Sequence, residues 1–276
     1  MSSSPSIEPA TLLSRALNRQ MRVVTESLAP CLRRPKRGRV HALRVALRTL
    51  LATLGLASVL EAQPRKRSLR HLKELLAALS PLRDVHVQLK ALVQLEQAPE
   101  AREHLRQRLN RQERKLARRA RKQLASVDAT ELVHDVQELT RKLATLSVDP
   151  PQRALVASAL RGELAARHLR VLRRKRADSL DDAHLLHRLR LDLKRYRYAL
   201  DALAPVLPAR ARPLAEEVAR LQEQLGHAHD AHVLAEMARD CASDAELVRW
   251  LGARSTEQQA SAAAAVGEAH LEWPLS

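Results

Sequence analysis

His41, Arg44 and Arg48 stand at i, i+3 and i+7 in HALRVALR, and His187, Arg190 and Lys194 repeat the spacing in HRLRLDLK. At about 100° per residue these positions fall in one narrow sector of an α-helix, so each trio forms a single basic stripe. Arg37 extends the first stripe backward; Arg197 extends the second forward, with His184 one turn before it. Guanidinium groups grip phosphate or carboxylate through two parallel donors, and an imidazole adds a further N–H. The chemistry is therefore anion recognition. A third stripe runs along 106–124, where Arg108, Arg111, Lys115, Arg118 and Lys122 follow spacings of three and four and Arg114, Arg119 and Arg121 widen the band. Arg167, Arg170 and Arg174 make a fourth. A solvated helix face normally mixes signs and gains from acid–base pairs one turn apart. These faces hold too little acid for that, and each repels itself unless an anion offsets it.

The repetition extends beyond the stripes. An offset of 146 residues, with no gap between positions 41 and 87, also carries Leu75 to Leu221, Leu79 to Leu225, Asp84 to Asp230, His86 to His232 and Val87 to Val233. RDVHV at 83–87 thus returns as HDAHV at 229–233. Leucines coincide easily in a Leu-rich chain, but two His, an Asp and a cation trio in one register point to an internal duplication. Asp84 and Asp230 are expected to cap following helices or to pair with an arginine of the basic faces. His229 and His232 have HxxH spacing but no third ligand that the sequence specifies, so no metal is assigned.

The elements that carry the stripes must be helices. Phe is absent, only two Trp and two Tyr occur, and Gly numbers 6 in 276 residues. A core of Leu, Ala and Val suits helices, and so little Gly leaves few hairpin turns. Breaks at 35–38, 62–65, 79–81, 97–100, 148–151 and 207–213 divide the chain into helices near 8–28, 39–60, 66–79, 84–96, 100–126, 130–146, 152–176, 183–206, 213–225, 231–241 and 244–271. The expected architecture is all-α: one domain over 1–276, built from a four-helix bundle at 8–126, a connector at 127–151 and a second bundle at 152–273. Leu43, Leu47, Leu50 and Leu54, with Val45 in part, lie opposite the first stripe, so the stripe is expected to look away from its own core. Packed about a pseudo-twofold axis, the two stripes would face one another across a groove.

The net charge is +17, and 39 of the 48 cations are Arg. From residue 213 onward 4 Lys and Arg stand against 11 Asp and Glu, so the basic surplus belongs to the first three quarters. Cys31 and Cys241 are isolated thiols, which suits a reducing compartment. No cationic and apolar leader opens the chain and no run of about 18 apolar residues occurs, so a soluble cytoplasmic protein is expected. No long exposed apolar stripe demands a partner, which predicts a monomer.

Enzymatic signatures are missing: no phosphate-cradling Gly-rich loop, no GxSxG, no HExxH, no ExExK. Binding is the better reading, with no catalytic residue, metal or cofactor assigned. Nucleic acid would be gripped by counterion release, but single strands also want aromatic platforms, and the four aromatic residues do not interleave with the basic runs. No helix-turn-helix or zinc-finger spacing is present. A polymer of phosphates without bases, inorganic polyphosphate, asks only for Arg, Lys and His. A polyphosphate-cleaving or transferring enzyme and a nucleoid-type DNA binder are the competing readings.

HALRVALRTL with PLRDVHV, and HRLRLDLKRYRYALDAL with RLQEQLGHAHDAHV, resemble the motifs of the CHAD family, the conserved histidine α-helical domains, from about residue 8 to 273. The resemblance implies two pseudo-symmetric four-helix bundles whose basic faces line a central cavity or groove that binds inorganic polyphosphate. It implies association with polyphosphate granules and with proteins that metabolise the polymer. The binding residues it implies are His41, Arg44, Arg48 and Arg83 in the first half and His187, Arg190, Lys194, Arg197 and Tyr198 in the second. Arg111, Lys115, Arg118, Arg119 and Lys122 are added on basic character rather than motif. Two departures from twofold likeness, His229 in place of Arg83 and a cation-poor SAAAAVGEAH at 261–270, predict an asymmetric basic surface.

Overall fold

The computed structural model describes residues 8–93, 98–146, 149–176, 182–209, 211–241 and 245–273. Among them the chain forms α1 (Pro9–Arg33), α2 (Arg37–Ala57), α3 (Lys66–Val93), α4 (Pro99–Ala125), α5 (Ala129–Thr145), α6 (Pro150–Lys175), α7 (Ala183–Leu203), α8 (Ala211–Cys241) and α9 (Ala245–Glu268). Single 3₁₀ turns at Ser58–Leu60 and Ala204–Val206 follow α2 and α7. No strand occurs among the described residues, and the fold is all-α. Shifting α2 by 146 lands on 183–203, the bounds of α7, and the same shift carries the first 3₁₀ turn onto the second.

Two expected breaks are not breaks. α3 runs through Pro81 and α8 runs through Gly226, joining what periodicity divided at 79–84 and 225–231. An internal Pro costs a helix about 3 kcal/mol and Gly about 1. Leu72, Leu75, Leu79, Leu82 and Val85 keep one continuous buried face across the first site, and Leu221, Leu225 and Ala228 do so across the second. That burial outweighs the local penalty. The breaks at 97–100, 148–151 and 207–213 fall partly outside the described residues, as do 94–96 and 244, the ends of two expected helices.

Each half is a helical stack in which α2 packs between α1 and α3, and α7 between α6 and α8. α2 also packs across α7, and this crossing joins the halves. One large core links α1, α2, α3, α5, α6, α7 and α8 through residues such as Leu17, Leu47, Leu50, Leu189, Leu193 and Leu221. A second core, formed by Val85, Leu92, Leu105 and Leu109 with Leu234, Leu247 and Leu251, ties α3–α4 directly to α8–α9. α5 lies along α1. Its buried Asp135 accepts a hydrogen bond from Ser68 and has Arg65 Nε at 3.4 Å, which fixes the start of α3. The start of α7, and with it the phase of the second stripe, is set by Asp182, whose carboxylate accepts from the backbone N–H of His184 at 2.8 Å.

Arg37–Leu60 is long and apolar enough to cross a membrane by length and composition, and half of that window, 50%, is buried inside the protein. Its leucines are core for both halves. Leu47→Ala should therefore cost about 2–5 kcal/mol in urea unfolding through the cavity it leaves. Leu155→Ala, at a side chain 70% exposed on α6, should stay within about 0.5 kcal/mol of the parent.

Candidate anion-binding seam

Where α2 crosses α7 the two sequence stripes meet. Arg48 acts electrostatically on Lys194 and Arg190, and Arg44 on Lys194, across the boundary between the halves. Arg83 of α3 and His229 of α8 join them from either side: Arg83 lies within charge range of His41 and Arg44, and the His229 ring stands 4.8 Å from that of His187. His41, Arg44, Arg48, Arg83, His187, Arg190 and Lys194 thus form one cluster along the seam. The leucines opposite them, Leu43, Leu47, Leu50 and Leu54, are buried as expected, while Val45 is exposed.

The stripe does not look away from the core throughout. Arg44 is only 5% exposed, reaching from α2 toward α3 rather than into water. It donates to Ser80 Oγ and, at 3.4 Å, to the carbonyl of Leu76. Arg48, Arg83, Arg190 and Lys194 are partly buried. Among the described residues none of these five cations has a carboxylate within 4.0 Å, and the buried Nε of Arg190 has no hydrogen-bond partner.

Asp84 and Asp230 are the nearest acids. Neither caps a helix; they sit inside α3 and α8 and face the guanidinium groups, Asp84 within charge range of Arg44, Arg48, Arg190 and Arg83, and Asp230 of Arg190 and Arg83. Burial raises the pKa of Asp230, and those arginines pull against it.

The crowding shows in the cations themselves. Burial and then the charges of Arg48, Arg190, Arg44 and Arg197 push Lys194 down to about 7. Burial and Arg48 bring Arg44 down to about 10, where a guanidinium is still charged at neutral pH. Burial and the neighbouring Arg190 and His187 bring His229 to about 4, so at neutral pH it is an uncharged imidazole. His187 is lowered for the same reasons, burial and Arg190.

Arg197 and Tyr198 lie at the edge of the cluster. Arg197 stands 3.7 Å from Asp201 and 5.5 Å over the Tyr198 ring, and Tyr198 is buried. Arg111, Lys115, Arg118, Arg119 and Lys122 are exposed on α4, which packs chiefly on α3 and α1; they form a separate basic face. The fourth stripe is partly neutralised, once from α7 and once from within α6. Arg174 pairs with the buried Asp192 of α7, and Arg167 Nε lies 2.8 Å from Glu163.

Sequence reasoning missed a cavity of about 590 Å³ between α2, α3, α6 and α7, bounded by Lys73, Arg167, Arg170 and Arg195 together with Arg48 and Lys194. These cations come from four helices; Arg48, Lys194, Arg167 and Arg170 stand in stripes that the sequence shows, while Lys73 and Arg195 do not. The histidines of RDVHV and HDAHV divide by role. His86 Nε2 donates to Glu113 at 3.0 Å, and Gln259 Nε2 donates to His232 Nδ1 at 3.1 Å. Glu113 and Gln259 are themselves 146 apart, so both pairs are equivalent braces, α3 to α4 and α8 to α9. Among the described residues no three His, Cys, Asp or Glu side chains gather in a metal-holding group. Cys31 is buried and its thiol is pushed up to about 11, chiefly by burial; the side chain of Cys241 lies outside the described residues.

An all-helical domain with cations gathered on the crossing of its two central helices defines the class. The chain belongs to the CHAD domain family, whose profile matches residues 15–239. Its fold is similar to the crystal structure of the CHAD domain from the plant Ricinus communis, with a TM-score of 0.75 and 20% identity over 98% of this chain and 96% of that one. It is also similar to PptA from Streptomyces chartreusis, with a TM-score of 0.60 and 19% identity over 96% of this chain and 98% of that one. No curated protein matches it.

The Lys194 ammonium titrates lower in the folded chain than in an unfolded one, where about 10.4 is usual. Between pH 7 and 10 the unfolded state therefore binds more protons, and folding is favoured as pH rises. In low salt the thermal midpoint should climb across that window, and Lys194→Met should flatten the climb; an identical slope in the variant would refute the burial of this charge among arginines.

Proposed function

We propose that this chain is a non-catalytic module that binds inorganic polyphosphate along the seam. One observation carries the reading: Arg44, Arg48, Arg83, Arg190 and Lys194 converge from both halves with no carboxylate among the described residues in contact with any of them. Such a cluster repels itself, and a chain of closely spaced phosphates relieves the repulsion at several cations at once. Membership of the CHAD domain family supports the same polymer. His41, His187 and His229 add neutral donors at the rim, and proton uptake by Lys194 strengthens the grip as the pH falls through about 7. In the cell the module would sit at polyphosphate granules and hold polymer-metabolising proteins there. DNA fits less well: Tyr196 and Tyr198 are both buried and offer no open stacking platform in the seam.

The test is a competition at near-physiological salt. Labelled long-chain polyphosphate bound to the protein should be displaced by unlabelled polyphosphate and not by orthophosphate or duplex DNA at equal phosphate concentration. Arg48→Gln/Arg83→Gln/Arg190→Gln should weaken binding by on the order of a hundredfold or more, since each charge-assisted contact contributes about 1.5–3 kcal/mol. Arg44 is left in place because it also braces α2 to α3. Chain shortening in the presence of Mg²⁺ or Mn²⁺ would replace the binding role with an enzymatic one, and equal displacement by DNA would reduce the seam to a generic basic surface.

A further inference from the structure

The cavity beside the seam has two kinds of wall. Leu51, Leu54, Leu69, Leu76 and Leu191 make an apolar floor together with Tyr198. Lys73, Arg167, Arg170 and Arg195 stand around it, Arg48 and Lys194 close it toward the seam, and Glu163 is the one acid among the described residues that lines it. Its volume of about 590 Å³ is within the range of small-molecule sites. A bare phosphate chain has no apolar surface, so leucines beneath it would strip its hydration without return. The walls match a molecule that is ring-like and apolar at one end and multiply anionic at the other.

The charged lining of the cavity is not repeated at the 146-residue offset. At an offset of 146, Lys73 and Arg195 correspond to Ala219 and Thr49, and Gly55 corresponds to Asp201. The other side thus lacks two cations and carries a carboxylate, which lies 3.7 Å from Arg197. On the cavity side Gly55 leaves room for Arg167, whose Nη2 lies 3.6 Å from where a Cβ would stand. Arg167 is held there by Glu163 at 2.8 Å and by the carbonyl of Arg195 at 3.2 Å. Lys73 and Arg170 have no carboxylate within 4.0 Å among the described residues. A surface basic by composition alone would not concentrate its charge on one of two equivalent sides.

We propose that this cavity binds a nucleoside triphosphate, with the phosphates on Arg170, Lys73, Arg48 and Lys194 and the base against the leucine floor. The site is distinct from the seam but shares two cations with it, so a nucleotide and a polyphosphate chain compete for Arg48 and Lys194. Calorimetric titration of the full chain without Mg²⁺ compares ATP and GTP with inorganic tripolyphosphate, which carries at least as much charge and no base. The nucleotides should bind at least about tenfold more tightly and with a negative heat-capacity change, both from burial of the base. Lys73→Ala/Arg195→Thr, two exposed positions given the residues of the other half, should lower nucleotide affinity by about tenfold or more with an unchanged thermal midpoint. Arg83→Gln, outside the cavity and not among the charges that depress Lys194, should weaken long-chain polyphosphate binding and leave nucleotide affinity within about twofold. Tripolyphosphate binding as tightly as ATP, or an unaltered nucleotide affinity in Lys73→Ala/Arg195→Thr, overturns the proposal. Failure of the polyphosphate reading would show separately, as loss of long-chain binding specificity with the nucleotide response intact.

Discussion

Like charge gathered at a helix crossing is the constraint on which this structure turns. Two helices can cross with cations on their shared face only if something else holds them together, because every pair of guanidinium groups there raises the energy of the folded state. In α2 and α7 that task falls to the opposite faces, where Leu43, Leu47, Leu50, Leu186, Leu189 and Leu193 are buried. Asp84 and Asp230 offset part of the repulsion from a distance, but neither closes into a contact ion pair that would consume a cation's donors. The free protein consequently holds the charges apart at an electrostatic cost, and any polyanion that binds the folded state alone returns that cost as stability.

The remaining cations are arranged by different rules. On α4 they stand in open water, where screening makes each of them weak. On α6 and α7, Arg167, Arg174 and Arg195 are fixed by Glu163 and Asp192, so their geometry is set before any ligand arrives. The seam lies between these extremes, partly dry and only partly compensated by Asp84 and Asp230. Three basic surfaces of similar composition thus differ in physical character according to how much water and how much acid the fold leaves beside them.

How much of this could be read from sequence follows from what periodicity measures. The i, i+3, i+7 spacing placed His41, Arg44 and Arg48 on one face, and α2 and α7, expected at 39–60 and 183–206, lie at Arg37–Ala57 and Ala183–Leu203. The family resemblance anticipated the all-helical fold. Spacing says which residues share a face and is silent about what that face meets, so the burial of Arg44 against Leu76 and Ser80 of α3 is invisible to it. The helix ends expected near Pro81 and Gly226 do not form, because local propensity is a weak guide once a buried leucine row runs through the site. The neutralising of Arg174 by Asp192, and the convergence of Lys73, Arg167 and Arg195, depend on contacts between helices far apart in sequence.

The second core bears on how this chain can be divided. Val85, Leu92, Leu105 and Leu109 are covered by Leu234, Leu247 and Leu251, so a fragment cut between α5 and α6 would present an apolar end to water. Neither fragment is a self-sufficient folding unit: each carries a surface whose cover lies in the other, and the two ends of the sequence are held in one cooperative body by leucines far from the charged crossing.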